Sequence, residues 1–105
     1  MAMDLNAPPN AYANALPMRV MLVEAEGATL YGLRHYIASA PSFRLCVEAQ
    51  TVVAAQVGWV QQQPEVAVID PDLDGGGGWR LLRELTRAQP PVQCLVLLRQ
   101  HRALG

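Results

Sequence analysis

The hydrophobic positions of this chain fall into short runs separated by turn residues, and the clearest run is Val66–Ile69. It contains four apolar residues in succession and ends abruptly at Asp70. Such a run is typical of a strand buried on both faces in a parallel sheet. Asp70 then lies at the carboxyl end of the strand, the edge at which open α/β sheets bind ligands. An alternative is that Asp70 only opens a turn, because Asp-Pro is a common turn opener.

Three other segments are predicted to be strands: residues 19–23, 43–48 and 92–98. In the second of them Phe43, Leu45 and Val47 alternate with polar or small residues, which is the period of a strand with one solvated face. That strand is therefore expected to be less buried than the others and to lie at an edge of the sheet.

Helices are predicted between the strands. Apolar residues recur at helical spacing within residues 28–39, and another helix is expected over residues 79–88, after the glycine run 75–78. The resulting order is βαβαβαβ. Right-handed crossovers then produce an α/β fold, a doubly wound parallel sheet with helices on both faces.

The second of the three helices follows Thr51, which can cap its first turn. Gly58 is expected to weaken this helix. Its core-facing stripe is predicted to consist of Val53, Val57 and Val60.

Composition and charge narrow the functional classes. The 105 residues suit one domain, and the net charge of −1 provides no basic surface of the kind that nucleic-acid binders carry. The chain contains no lysine, which excludes a Walker-type phosphate loop. No apolar run reaches the roughly 18 residues of a membrane helix. We therefore expect a cytoplasmic protein that makes no membrane contact, with a loose tail over residues 1–17 and a folded unit over residues 18–105.

Five stretches of the chain carry weak signals whose mutual spacing is informative. They are RVMLVEA at 19–25, GLR at 32–34, FRLCVEA at 43–49, PEVAVID at 64–70 and GWRLL at 78–82. Together they resemble a response-regulator receiver domain, most closely the class whose output is a LuxR-type helix-turn-helix. The resemblance runs without gaps over about four of the family's five βα units. It implies the CheY-like strand order 2-1-3-4-5, with the last βα unit missing from this chain.

The resemblance also implies a site at the strand ends. In receivers an acid after strand 3 accepts a phosphoryl group from a partner histidine kinase, and Asp70 matches that acid. Acids after strand 1 hold Mg²⁺ together with a backbone carbonyl two residues beyond the phosphoacceptor. A Mg²⁺ site formed by Glu24, Asp70 and Asp72 is therefore implied.

The chain departs from the family pattern around this site. Ala25 stands where the direct metal ligand is usual, Leu98 where a serine or threonine is usual, and Asp74 where a proline is usual. The family's strand-5 lysine cannot be present. Asp70 is intact and Glu24 is a conservative substitute, so the pattern predicts a degenerate receiver that holds Mg²⁺ weakly. Alternatively, Glu24 and Glu26 belong to a solvated turn, and Asp72 and Asp74 are solvated loop residues.

Four further residues have structural interpretations. The implied strand order separates Cys46 and Cys94 by roughly 14 Å, beyond the ~7 Å limit for a disulfide. Trp59 and Trp79 are predicted to pack within helices rather than to recognise a ligand.

Two functional hypotheses remain, because an enzyme is disfavoured by the absence of a nucleotide-binding glycine motif and of a serine-histidine pairing. The first is a degenerate receiver that controls transcription through a DNA-binding output domain absent from this chain. The second is a stand-alone pseudo-receiver that binds proteins without phosphorylation. The expected partners are a histidine kinase or another signalling protein, and a second copy of the chain, since an unpaired edge near Leu95 would favour association.

Overall fold

The computed structural model describes residues 16–98, which form four strands and three helices. The predicted element order is confirmed. Residues 1–15 of the predicted tail lie outside the described residues, as do residues 99–105. In chain order the elements are β1 (Met18–Val23), α1 (Gly27–Ser39), β2 (Phe43–Ala49), α2 (Val52–Gln62), β3 (Val66–Ile69), α3 (Leu73–Thr86) and β4 (Gln93–Val96).

All strand pairs are parallel, and the sheet has the order β2-β1-β3-β4. This confirms the doubly wound α/β fold and the edge position of β2. β3 lies between β1 and β4, so that Val68 pairs with Leu22 on one side and with Leu95 on the other. Residues of β3 alternate between the two hydrophobic layers that cover the faces of the sheet, which explains why its sequence is apolar throughout.

The sheet separates two hydrophobic layers. One layer lies under α2 and α3 and contains Met21, Ile69, Leu81 and Leu85, all fully buried. The other lies under α1 and consists of Val20, Leu22, Leu30, Ile37 and Val68. Leu95 pairs with Val68 but is largely exposed, so the sheet is less completely covered at β4 than at its centre.

The prediction that the α2 valines face the core is wrong. Val53, Val57 and Val60 are 69%, 50% and 70% exposed and form the outer face of the helix. The inner face instead carries Ala55, which is fully buried, and the partly buried Val52 and Trp59.

Small residues on the inner face of α2 explain this orientation. A Cβ placed on Gly58 would lie 2.4 Å from Cγ1 of Val47 in β2, so the helix approaches the sheet at a distance that only glycine permits. Because α2 has no charged residue, hydrophobicity alone does not identify its buried side. The predicted cap is confirmed, since the Thr51 hydroxyl accepts a hydrogen bond from the Ala54 amide at 3.1 Å.

A β-bulge in β2 corrects the alternation predicted for that strand. Val20 pairs with Leu45 and Met21 pairs with Val47, which leaves Cys46 as the extra residue. Leu45 therefore packs in the α1 layer, whereas Val47 packs in the layer under α2 and α3. An inserted residue exchanges the two faces of a strand, and strict alternation does not reveal it.

Two boundaries also differ from prediction. α3 spans Leu73–Thr86 rather than residues 79–88, and residues 74–76 within it have positive φ angles and interrupt the helix. β4 spans Gln93–Val96, shorter than the predicted 92–98. Within residues 16–98, no helix is long and apolar enough to cross a membrane.

Candidate functional site

Asp70 lies immediately after β3, at the carboxyl edge of the sheet. Its amide donates to the Val23 carbonyl at 2.9 Å, and its side-chain Oδ1 accepts from the Asp72 amide at 3.0 Å. The Asp70 carbonyl accepts from the Leu73 amide at 3.2 Å. These bonds form a side-chain-supported turn that ends the strand and holds the carboxylate at the sheet edge. Asp70 thus opens the predicted turn, and the same turn holds its carboxylate at the edge where the sequence predicts a site.

Gly78 allows α3 to pack directly on this strand end. A Cβ at Gly78 would lie 2.3 Å from the Asp70 carbonyl oxygen and 2.7 Å from Cα of Pro71. Both neighbours are backbone atoms, which cannot turn away as a flexible side chain can. The position of Asp70 therefore depends on the absence of a side chain at residue 78.

The first turn of α3 is interrupted by three successive residues with positive φ angles. Asp74, Gly75 and Gly76 have φ angles of 52°, 67° and 103°. A proline, with φ fixed near −65°, could not adopt the Asp74 conformation. The absence of the family's proline is therefore explained by the left-handed backbone that Asp74 shares with the glycines after it.

Asp74 is exposed, as one prediction had it, but its side chain also has a structural role. Its Oδ2 accepts a hydrogen bond from the Val52 amide at 2.7 Å, at the first residue of α2. The carboxylate satisfies a helix N-terminal amide that has no partner within the helix. Asp74 thus joins the first turn of α3 to the start of α2.

Glu24 directly follows β1, and the structure places it beside Asp70. Val23 pairs with Ile69, so the two acids leave neighbouring strands, which lie about 4.8 Å apart. Glu24 is 1% exposed and Asp70 is 5% exposed, and within residues 16–98 they are the two buried charged residues. Ala25, at the position of the family's usual metal ligand, is exposed and has no donor side chain.

Glu26 has a structural role in the turn after β1. Its side chain accepts hydrogen bonds from the amides of Ala28 and Thr29 at 3.2 and 2.9 Å, which caps α1. A carboxylate at this position also interacts favourably with the helix dipole. Glu26 is therefore explained as the cap of α1.

The end of β4 borders the site on the other side. The Leu97 amide donates to the Ile69 carbonyl at 2.9 Å, which places Leu97 and Leu98 next to the end of β3. Leu98 is exposed. Neither side chain has the hydroxyl that the family pattern predicts at this strand end, so a shift of one residue does not supply it.

The side chains at this edge offer few ligands for a metal ion. Within residues 16–98, no group of three or more acidic, histidine or cysteine side chains is arranged to hold a metal ion. Glu24 and Asp70 supply two carboxylates, which satisfies the minimum that Mg²⁺ requires when it keeps most of its waters. Asp72 is exposed, and its carbonyl already accepts from the Gly76 amide at 3.3 Å. These residues fit a weakly held Mg²⁺; the predicted metal set remains a prediction.

The two cysteines are free and lie away from this edge. β1 and β3 separate their strands, as expected. Burial raises the pKa of the Cys94 thiol to about 11. Burial also raises the pKa of Cys46, although nearby Arg19 opposes the shift. Because the thiolate is the reactive form, both residues are structural rather than nucleophilic.

Sequence reasoning missed Gly78 and the tether formed by Asp74. A glycine run before a helix indicates a turn, but it does not show which glycine meets backbone atoms of a neighbouring strand. Trp59 packs against the core as predicted, whereas Trp79 is 46% exposed and does not.

One curated relative matches most of the chain. The DNA-binding transcriptional activator DevR/DosR of Mycobacterium tuberculosis is 31% identical over 80 residues, which are 76% of this chain and 37% of that protein. The chain thus spans little more than a third of the length of the relative it matches. No known family model matches the chain.

Solved structures agree in fold. A LuxR-family two-component response regulator from an Aurantimonas species has a TM-score of 0.68 and 25% identity, and the match covers 77% of this chain and 58% of that one. The anti-anti-sigma factor PhyR of Bartonella quintana, complexed with the anti-sigma factor NepR, has a TM-score of 0.66 and 20% identity over 80% of this chain and 34% of that one. The latter likeness supports the fold alone.

Proposed function

Since the chain belongs to the receiver domains of response regulators, we propose that it is a degenerate receiver in which Asp70 is a poor phosphoacceptor. The single observation that carries this proposal is the surroundings of Asp70. Two buried carboxylates stand on adjacent strand ends, while Ala25 and Leu98 supply no charged or hydroxyl group.

The electrostatics of this edge oppose phosphoryl transfer. An incoming phosphoryl group is anionic, and its transfer requires positive charge and fixed donors near the acceptor oxygen. Glu24 adds negative charge instead, and the chain contains no lysine that could balance it. A Mg²⁺ ion held by Glu24 and Asp70, with the Asp72 carbonyl, would offset part of this repulsion. Two carboxylates hold it weakly, because the third acidic position is Ala25.

A degenerate receiver signals through its protein contacts. We propose that this signalling module is not an enzyme, acts in the cytoplasm and regulates transcription through an output domain that binds DNA. The relative DevR/DosR, a DNA-binding transcriptional activator, supports this output. A histidine kinase or another signalling protein would be the upstream partner, and a second copy of the chain remains a candidate.

A second candidate is an interaction module without a DNA-binding output. The complex of PhyR with the anti-sigma factor NepR supports it, since a protein of the same fold occurs there with a protein partner. The two candidates predict the same behaviour of Asp70 and differ in the output.

Phosphorylation of the chain tests the proposal directly. We expect incubation with a small acyl phosphate and Mg²⁺ to give little or no mass increase, measured on the intact protein. Ala25→Asp should raise Mg²⁺ affinity and the phosphorylation rate by about tenfold each, which corresponds to about 1.4 kcal/mol. Ala25 is exposed, so the new carboxylate has room.

The control is Asp70→Asn in both backgrounds. Rapid, nearly stoichiometric phosphorylation of the parent that disappears in Asp70→Asn would refute the degenerate assignment. An unchanged metal affinity in Ala25→Asp would refute the role given to residue 25.

A further inference from the structure

The outer face of α2 is unusual for an exposed helix because it is apolar and uncharged. Val53, Val57 and Val60 recur at i, i+4 and i+7 and are all exposed. None of the eleven residues of α2 is charged. Apolar faces of this kind mark sites of interaction more often than surfaces left in water.

A groove between α2 and α3 borders this face at Val53. It has a volume of about 660 Å³ and is lined by Val53 and Gln56 from α2 and by Trp79, Arg80 and Arg83 from α3. Trp79 is 46% exposed although it lies on a helix that otherwise packs on the sheet. Tryptophan and arginine are the residues most enriched at the energetic centres of protein interfaces. We call this region the α2/α3 groove.

The positive charge on α3 is available to a partner. The two ion pairs within residues 16–98 join Arg19 to Glu65 and Arg34 to Glu48, and neither involves α3. Arg80 and Arg83 are exposed and lie on one side of α3, and Arg87 continues that side.

The acids nearest the groove are already engaged. Asp74 accepts from the Val52 amide, and Glu84 accepts from the Gln56 side chain at 3.0 Å. Neither acid forms an ion pair with Arg80 or Arg83 within residues 16–98, so the charge of both arginines is left for a partner.

We propose that the α2/α3 groove is a docking site for an acidic amphipathic helix of a partner protein. Apolar side chains of that helix would cover Val53 and Trp79, and its carboxylates would meet Arg80 and Arg83. The proposal goes beyond the receiver function and does not depend on phosphoryl transfer to Asp70. Either proposal can therefore fail while the other holds.

Two other occupants fit the groove less well. In a two-fold contact between copies of this chain, Arg80 and Arg83 would face the same arginines, which repel. A nucleic acid would leave the apolar side chains uncovered, and Asp72, Asp74 and the net charge of −1 oppose a phosphate backbone.

A peptide-binding measurement tests the groove. The probe is a fluorescein-labelled peptide of about 16 residues, roughly 24 Å as a helix, with leucines on one face and glutamates beside them. We expect the 105-residue chain to bind it with a Kd of about 10–100 μM by fluorescence anisotropy. Arg80→Glu should weaken binding about tenfold, whereas the matched charge reversal Arg44→Glu, at an exposed residue of β2, should leave it unchanged.

A second pair of variants tests the apolar part of the groove. Val53→Gln should weaken binding by about threefold, and Val60→Gln, on the same helix but not lining the groove, should not. A charge-swapped probe with lysine for glutamate should bind the double variant Arg80→Glu, Arg83→Glu better than it binds the parent. Such a gain cannot come from unfolding.

Four outcomes would overturn the proposal. The first is no anisotropy change up to about 1 mM protein, and the second is equal weakening by Arg80→Glu and Arg44→Glu. The third is preferential binding of an oligonucleotide of similar length that Arg80→Glu abolishes. The fourth is dissociation of a parent oligomer by Arg80→Glu in sedimentation. The third would assign the groove to nucleic acid and the fourth to a second copy. Asp70→Asn should bind the peptide like the parent, which separates this result from the test of phosphorylation.

Discussion

β3 and α2 are both rich in valine, but the fold treats them in opposite ways. β3 has hydrogen-bonded neighbours on both sides and helices over both faces of the sheet, so Ala67 and Ile69 are fully buried. α2 meets the sheet along one face only, and Ala55 and Gly58 occupy that face. The comparison teaches that apolar content identifies an ordered segment, whereas the neighbours determine which side of it is buried.

The largest expected effect is the difference in stability between a substitution in buried β3 and one on the exposed face of α2. Ile69→Ala removes buried methyl groups from β3 and should lower the free energy of unfolding by about 3–4 kcal/mol. Val60→Ala on the outer face of α2 should change it by less than about 0.5 kcal/mol. Urea denaturation followed by circular dichroism measures both. Similar losses in the two variants would mean that the outer valines are buried in solution.

The next effect concerns the contact behind Asp70. Gly78→Ala forces a Cβ against the Asp70 carbonyl and the Pro71 backbone and should cost about 2–3 kcal/mol in unfolding free energy. Gly32→Ala is the control, because a Cβ there meets nothing within 4 Å. In the interior of α1 it should stabilise by about 0.5–1 kcal/mol. If both substitutions were stabilising, α3 would not pack on the strand end as described.

Gly58→Ala tests why the outer valines of α2 face away from the sheet. The gain in helix propensity is up to about 1 kcal/mol, but the new methyl group meets Cγ1 of Val47 and should give a net loss of about 1 kcal/mol. The companion substitution Val47→Ala in the Gly58→Ala background should recover part of that loss. A net stabilisation by Gly58→Ala alone would show that α2 sits further from β2.

An effect of similar size concerns the hydrogen bond by which Asp74 joins the start of α3 to α2. Asp74→Ala leaves the Val52 amide without its carboxylate and places a non-glycine residue without local hydrogen bonds at φ 52°, which should cost about 1 kcal/mol. Asp74→Gly should cost less than Asp74→Ala, because glycine accepts that conformation. The control Asp72→Ala, at an exposed residue whose side chain forms no cap, should be nearly neutral. Equal stability of all three variants in urea would show that the hydrogen bond between Asp74 and Val52 does not stabilise the fold.

The sequence by itself determined the order of elements, the parallel sheet and the position of Asp70 at a strand end. These follow from local physics, because the apolar period and the turn residues act within a few positions of the chain. The same reasoning placed Glu24 after β1, and the parallel pairing of β1 with β3 then brought Glu24 and Asp70 to one edge.

Only the tertiary structure decided which face of α2 is buried, where the bulge at Cys46 reverses the faces of β2, and what Asp74 and Gly78 do. Each depends on atoms brought together from distant parts of the chain: Gly58 with Val47, Asp74 with Val52, and Gly78 with the end of β3. Differences of tenths of an ångström between such atoms determine whether a Cβ fits or a hydrogen bond forms. The hydrophobic pattern of the sequence contains no information about distances that small.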